Sequence, residues 1–191
     1  MALINTTTTG VLGTTVFGDG SGDLTIQQNG VLVNKITSNG LTYRGTGSVL
    51  QVVSTNKNDT FSTTSTSFTD VTGLSVSITP SSTTSKILVF VDTNYSPSGT
   101  STLAAFNLVR GATNISQPAT APTYTGSFVA YTNAADTMLT PSFNFLDSPA
   151  TTSATTYKIQ VKTNSGTVYL NRRLSTDTAS TSTITVMEIA V

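Results

Sequence analysis

Gly73-Leu74-Ser75-Val76-Ser77-Ile78-Thr79-Pro80 alternates apolar and polar residues with a period of two. That spacing places Leu74, Val76 and Ile78 on one face of a strand and Ser75, Ser77 and Thr79 on the other. Thr66–Val71 leads into this strand through Gly73, and Pro80-Ser81-Ser82 ends it. Next comes Ile87-Leu88-Val89-Phe90-Val91, apolar at every position, as expected of a central strand covered on both faces, and it marks the centre of the core. Further strands are expected over Leu103–Arg110, closed by Gly111, and over Tyr124–Tyr131, with Phe128 buried on one face. Asp136–Leu146 carries Phe143 and Phe145 opposite Asn144. Tyr157, Ile159 and Val161 alternate with Lys158, Gln160 and Lys162, and Asn164-Ser165-Gly166 reads as a hairpin turn into Thr167-Val168-Tyr169-Leu170. In Thr183–Val191, Ile184 and Val186 share one face while Met187, Ile189 and Val191 share the other, so this last strand predicts a subunit contact. Short strands with turns between them and no helical periodicity give an all-β chain, with a jelly-roll-like antiparallel β-sandwich over residues 56–191.

Residues 1–55 read differently. Gly18-Asp19-Gly20-Ser21-Gly22-Asp23 precedes short aliphatic runs punctuated by Asn29-Gly30 and Asn39-Gly40, dipeptides suited to tight turns, and the two Asn-Gly units form a weak repeat. So few apolar residues in so short a segment scarcely close a core alone, and identical neighbouring chains would supply the missing partners. The segment is therefore expected to be a β-rich attachment and oligomerisation arm. Ser54-Thr55-Asn56-Lys57-Asn58-Asp59-Thr60 is polar and without periodicity, a linker or first loop.

Composition narrows the function. Of 191 residues 9% are charged and the net charge is zero, so nothing steers the chain toward nucleic acid or anionic lipid. There is no cysteine and no histidine, which removes thiolate and imidazole metal sites, disulfides, cysteine nucleophiles and the Ser-His-Asp triad. The opening Met1-Ala2-Leu3-Ile4-Asn5 lacks a basic leader region, and no run is apolar and long enough to span a bilayer. Synthesis in a cytoplasm is expected, without membrane insertion.

A glycosidase needs two carboxylates, for which Asp70, Asp92, Asp136, Asp147, Asp177 and Glu188 are the candidates. Most of them sit at strand ends or loops, where aspartate shapes turns, so no catalytic residue is assigned. Asp19, Ser21 and Asp23 space oxygen ligands like a calcium loop, but Leu24 and Gly30 stand where its glycine and glutamate belong, and no metal or cofactor is expected. Receptor-contact candidates are the loop aromatics Tyr95, Tyr124 and Tyr131, whose rings could stack on sugar if they do not pack on the sheet, and Arg172 and Arg173, which could meet an anionic glycan or pair with acids. Glu188, inside an apolar strand, should be paired if covered, with Arg110, Arg172 or Arg173 as the available cations.

The blocks from Thr64 to Pro80, Lys86-Ile87-Leu88-Val89, Leu108-Val109-Arg110-Gly111, Tyr157–Asn164 and Ile184–Glu188 resemble, in order, the C-terminal domains of phage fibre-like virion proteins, over roughly residues 60–191. Phe17–Ile26 resembles a recurrent opening of phage fibre and adhesin-like proteins, on the attachment side. The resemblance implies a homotrimeric fibre or spike on the virion surface. Residues 1–55 would dock on other phage structural proteins, and the sandwich would contact the host surface, with anionic glycans met through its arginines. With almost no shaft, a capsid decoration (cement or head fibre) protein is the alternative reading. A polysaccharide-degrading tailspike and a carbohydrate-binding module stand behind it.

Overall fold

The computed structural model describes residues 14–18, 24–28, 31–37, 40–42, 46–120 and 122–191. Among them there is no helix. The strands run β1 (Thr14–Gly18), β2 (Leu24–Gln28), β3 (Val31–Thr37), β4 (Gly40–Thr42), β5 (Val49–Lys57), β6 (Phe61–Thr63), β7 (Thr69–Ile78) and β8 (Lys86–Asp92). They continue as β9 (Tyr95–Pro97), β10 (Thr102–Arg110), β11 (Thr113–Asn114), β12 (Phe128–Thr132), β13 (Ser142–Asp147), β14 (Thr155–Thr163), β15 (Val168–Leu170) and β16 (Ser182–Ile189). The chain forms two compact units, Met1–Leu50 with Ile189–Val191, and Gln51–Glu188.

In the first unit β1, β2, β3 and β4 form a sheet in chain order, each pair antiparallel. Gln28 pairs with Val31, which brackets the expected Asn29-Gly30 turn. The turn residues themselves, Asn39 and the acidic stretch 19–23 lie outside the described residues. The Gly47 amide donates to the Ala190 carbonyl (2.8 Å) and the Ala190 amide to Ser48 (2.9 Å).

The second unit is an antiparallel β-sandwich. One sheet has the order β11-β10-β14-β7, with β12 also on β10; the other has the order β13-β8-β16-β5; a small third sheet is β6-β15-β9. From β7 onward the long strands alternate between the two large sheets, β7, β10 and β14 in one and β8, β13 and β16 in the other. The chain thus crosses the sandwich at each step, consistent with a jelly-roll-like fold. Leu74, Ile87, Val89, Phe106, Leu108, Ile159, Ile184 and Val186 meet in the core, each buried side chain contributing about 1.5–3 kcal/mol.

Several local expectations change. Strand β7 spans both sides of Gly73, which takes φ +82°, and its register against β14 shifts between Lys158 and Gln160. A strict period of two would turn Val71 and Leu74 to opposite faces, whereas this bulge returns both to the core. Strand β12 begins only at Phe128 rather than Tyr124. Gly126 is pressed against β10, where a Cβ would stand 2.6 Å from the Phe106 carbonyl oxygen, and the Ser127 hydroxyl takes the Leu108 amide (2.9 Å), so this segment meets β10 without a ladder.

The hairpin expected from Tyr157 to Leu170 does not form. Gly166 makes its turn at φ +64°, but β15 leaves β14 and inserts between β6 and β9. Leu103 claims Asn164 instead, through its amide to Oδ1 (2.7 Å) and its carbonyl from the Asn164 amide (3.3 Å). Alternation marks a strand without naming its neighbour. The linker expected over Ser54–Thr60 is strand as far as Lys57: Ser54 bonds Thr185 Oγ1 (2.7 Å), and Lys57 is buried with Nζ 2.6 Å from Asp59 Oδ1. Polar residues sustain a strand when a neighbouring strand supplies the ladder.

Candidate functional site

The carboxylates are dispersed and individually engaged. Asp70, in β7, accepts from Lys158 Nζ (2.7 Å) and Gln160 Nε2 (2.8 Å), and the Lys158 bond chiefly holds its carboxyl below the ordinary range. Asp92 takes the Ser142 hydroxyl. Asp147, at the end of β13, is buried: Arg110 Nη1 straddles its two oxygens at 2.8 Å each, and the Tyr157 hydroxyl donates at 2.7 Å. Burial first, then the neighbouring carboxylate, drives the Tyr157 phenol far up, so it stays a donor. The Asp147 clasp links the two large sheets, since Arg110 and Tyr157 lie on β10 and β14.

Glu188 is fully buried, yet no arginine reaches it. It accepts from Ser81 N and Oγ (2.7 Å each) and from Gln51 Nε2 (2.6 Å). Burial alone would push its carboxyl up, but donors from Ser81, Gln51 and Ser85 outweigh that and hold it at about 2. Neutral donors thus replace the expected ion pair. Among the described residues no group of three or more histidine, cysteine or acidic side chains gathers around a point.

The arginine candidates are also occupied. Arg172 lies over the Tyr169 ring, 4.0 Å from its centroid, and donates to the Arg173 carbonyl. Arg173 sits between two acids, with Nη2 3.0 Å from Asp136 and Nε 3.6 Å from Asp177, and Asp136 raises its pKa further. Of the two readings given for these arginines, pairing with acids is the one Arg173 takes, while Arg172 stacks on an aromatic ring.

The tyrosines divide. Tyr95, expected in a loop, is in β9 and 1% exposed, its ring edge-on to Phe106 at 5.4 Å. It presents no free face, its hydroxyl has no hydrogen-bond partner among the described residues, and burial pushes the phenol up to about 12. Tyr124 and Tyr131 are 45% and 57% exposed. Tyr95 and Tyr131 come together in a groove of about 510 Å³ along β12, walled opposite by Leu139, Thr140 and Pro141. Tyr124 does not line it.

The largest departure from a closed core is the outer face of the β13-β8-β16-β5 sheet. Register pairs share a face, so Leu146 with Leu88 and Asn144 with Phe90 point away from the core that Phe143, Phe145, Val89 and Val91 face. Leu146, Phe90 and Val52 are 54%, 37% and 54% exposed. Leu88 and Met187 are half-buried on the same face, so every strand of this sheet turns an apolar side chain outward. Both faces of Ile87–Val91 were expected to be covered, but among the described residues only the inner face is. Sequence reading located this strand and the outward Met187, and counted Val52 among the aliphatic residues in need of a partner; it missed Leu146, whose same-face neighbour Asn144 makes it look like ordinary surface.

No protein-family model and no curated protein matches the chain. Among solved structures it is similar to infectious bursal disease virus Gt strain, at 11% identity and a TM-score of 0.42, covering 90% of this chain and 48% of that one. It is similar also to the T13 particle of that virus (8%, TM-score 0.39, 88% and 44%) and to its Gx strain (12%, 0.39, 89% and 52%). The chain spans about half the length of these structures. Likeness this loose carries no residue role across.

Proposed function

We propose that this chain is a non-enzymatic structural component of a phage virion surface, a homotrimeric fibre or spike that contacts the host. It is made in the host cytoplasm and docks on other phage structural proteins through residues 1–55. The observation that carries the reading is that every strand of the β13-β8-β16-β5 sheet turns an apolar side chain outward, with Leu146, Phe90 and Val52 exposed among polar neighbours such as Ser54, Asp92 and Asn144. A soluble chain seldom leaves such a face to water, and a symmetric neighbour covers it most economically. Trimeric order and the phage setting come from the sequence resemblance. A catalytic reading is disfavoured because each candidate carboxylate is already engaged by a donor, and the two that come near each other, Asp136 and Asp177, are bridged by Arg173.

Light scattering on the full chain tests the assembly. Three copies of the 19.8 kDa chain should give about 60 kDa. A folded species near 20 kDa at micromolar concentration would overturn the reading, and images of the particle would then distinguish tail from head attachment.

A further inference from the structure

The two edges of the β13-β8-β16-β5 sheet fit one another. Among the described residues no strand ladders onto the outer side of β13 or of β5. Exposed edges are ordinarily blunted by charge, proline or a bulge. In the other large sheet, the edge strand β7 is blunted by Asp70 and the break at Gly73, and β12 faces Leu139 and Pro141 of its own chain. Residues 142–146 of β13 and 49–56 of β5 carry neither charge nor proline. Both edges also leave core side chains unfinished: Phe143 and Phe145 on β13 and Val53 on β5 pack against the core while only partly buried.

Direction and register match as well. Strand β13 runs antiparallel to β8. Asn94, just beyond β8, bonds Ser182 at the start of β16 (3.0 Å), and Gln51 and Ser54 of β5 bond Glu188 and Thr185 of β16 (2.6 and 2.7 Å), so these two pairs are antiparallel too. Strands β13 and β5 therefore point in opposite directions, which is what an antiparallel ladder requires when copies repeat around an axis along the strands. Setting Val52 opposite Leu146 brings Ser54 to Asn144 and Asn56 to Ser142, so on the outward face apolar meets apolar and polar meets polar. The same register sets Val53 beside Phe145 on the core side. The geometry points to a head-to-tail pairing in which β5 of one copy ladders onto β13 of the next, so that three copies close a ring of three four-stranded sheets. Each of these sheets is backed by the other large sheet of its own sandwich, so the ring turns Leu146, Leu88, Phe90 and Val52 toward its axis. The inference rests on the homotrimer proposed above and specifies its interface.

The chain has no cysteine, so engineered thiols report the pairing directly. Facing residues of adjacent antiparallel strands have Cβ atoms about 4.5–5.5 Å apart, within reach of a short bismaleimide. In the full chain, Ser54→Cys combined with Asn144→Cys should cross-link to a covalent trimer of about 60 kDa on a denaturing gel. Each single variant alone should stay at about 20 kDa, and an equal mixture of the two, unfolded and reassembled together, should give pairs of about 40 kDa and nothing larger. A pair formed by Asn144→Cys alone, the product of a two-fold β13-to-β13 contact, would overturn the inference. So would the absence of cross-links in a double variant that light scattering shows to be trimeric. Hydrogen exchange on the unaltered chain is a check that needs no variant: the β13 amides turned away from β8 should exchange as slowly as those bonded to it, and rapid exchange there would overturn the pairing. Mass separates the two claims: a wild type near 20 kDa overturns the trimer itself, whereas a trimer without the cross-link overturns the strand pairing alone.

Discussion

On β10 the residues turned away from the core, Leu103, Ala105, Asn107 and Val109, are all buried, whereas on β8 and β13 the outward Phe90 and Leu146 stand in water. The chain covers the first face itself. Val129 and Tyr131 pair beside Ala105 and Leu103, Lys162 and Gln160 flank Ala105 and Asn107 from β14, and Gln117 donates to Asn107 Oδ1 (2.9 Å) from the segment beyond β11. Among the described residues of the sandwich no comparable segment lies on the second face. Two sheets with similar inner faces thus differ in their outer ones: among the described residues one is closed by its own neighbours, and the other keeps Phe90 and Leu146 exposed. Local hydrophobicity does not separate these cases, since Ile87–Val91 and Leu103–Val109 are both strongly apolar.

The sharpest break of this comparison strikes the clasp that joins the sheets. Asp147→Ala leaves Arg110 and the Tyr157 hydroxyl without their acceptor, and urea unfolding should show a loss of about 3 kcal/mol. A smaller effect follows from pH. The Glu188 carboxyl is held at about 2 against its ordinary 4.5, so its contribution is complete above pH 4.5 and is lost as pH falls toward 2. Wild type should therefore lose about 2–3 kcal/mol relative to Glu188→Gln between pH 5 and pH 2, measured by denaturant unfolding at each pH. Ala105→Leu on the self-covered face should cost about 1–3 kcal/mol by overpacking, while Leu146→Lys on the bare face should move single-chain stability by no more than about 0.5 kcal/mol. The smallest change is a gain: Tyr95→Phe removes an unsatisfied buried hydroxyl and should stabilise by about 1 kcal/mol in thermal melts. Equal responses at Ala105 and Leu146 would erase the difference between the two faces.

Much of the fold is legible in the sequence because period two reports burial directly. The alternations at Leu74–Ile78, Tyr157–Val161 and Ile184–Val186 all fall in strands with those residues inward. Partnership is not legible. Val168-Tyr169-Leu170 reads as a strand, but nothing in it says that β6 and β9 rather than β14 will bond it. Polar strand residues are hidden for the same reason, as Ser54 in β5 shows. Asn171 is the deepest omission. At φ 60° it donates to the Lys57 and Asp59 carbonyls (2.8 and 2.9 Å) and accepts from the Ser182 hydroxyl (2.6 Å), tying three segments together. Only asparagine's tolerance of left-handed backbone hinted at it. Of the candidate site, Tyr131 was visible as an aromatic near a loop, but its groove partners Leu139 and Pro141 meet it only through the fold.

The exposed sheet face is most directly tested by recording mass against concentration for wild type and for the double variant Phe90→Lys, Leu146→Lys. Burying either charge between copies without a partner would be costly, whereas on an exposed face both are harmless to one chain. The account predicts about 60 kDa for wild type and about 20 kDa for the variant, with an unchanged far-ultraviolet spectrum. A variant that still assembles like wild type would contradict it.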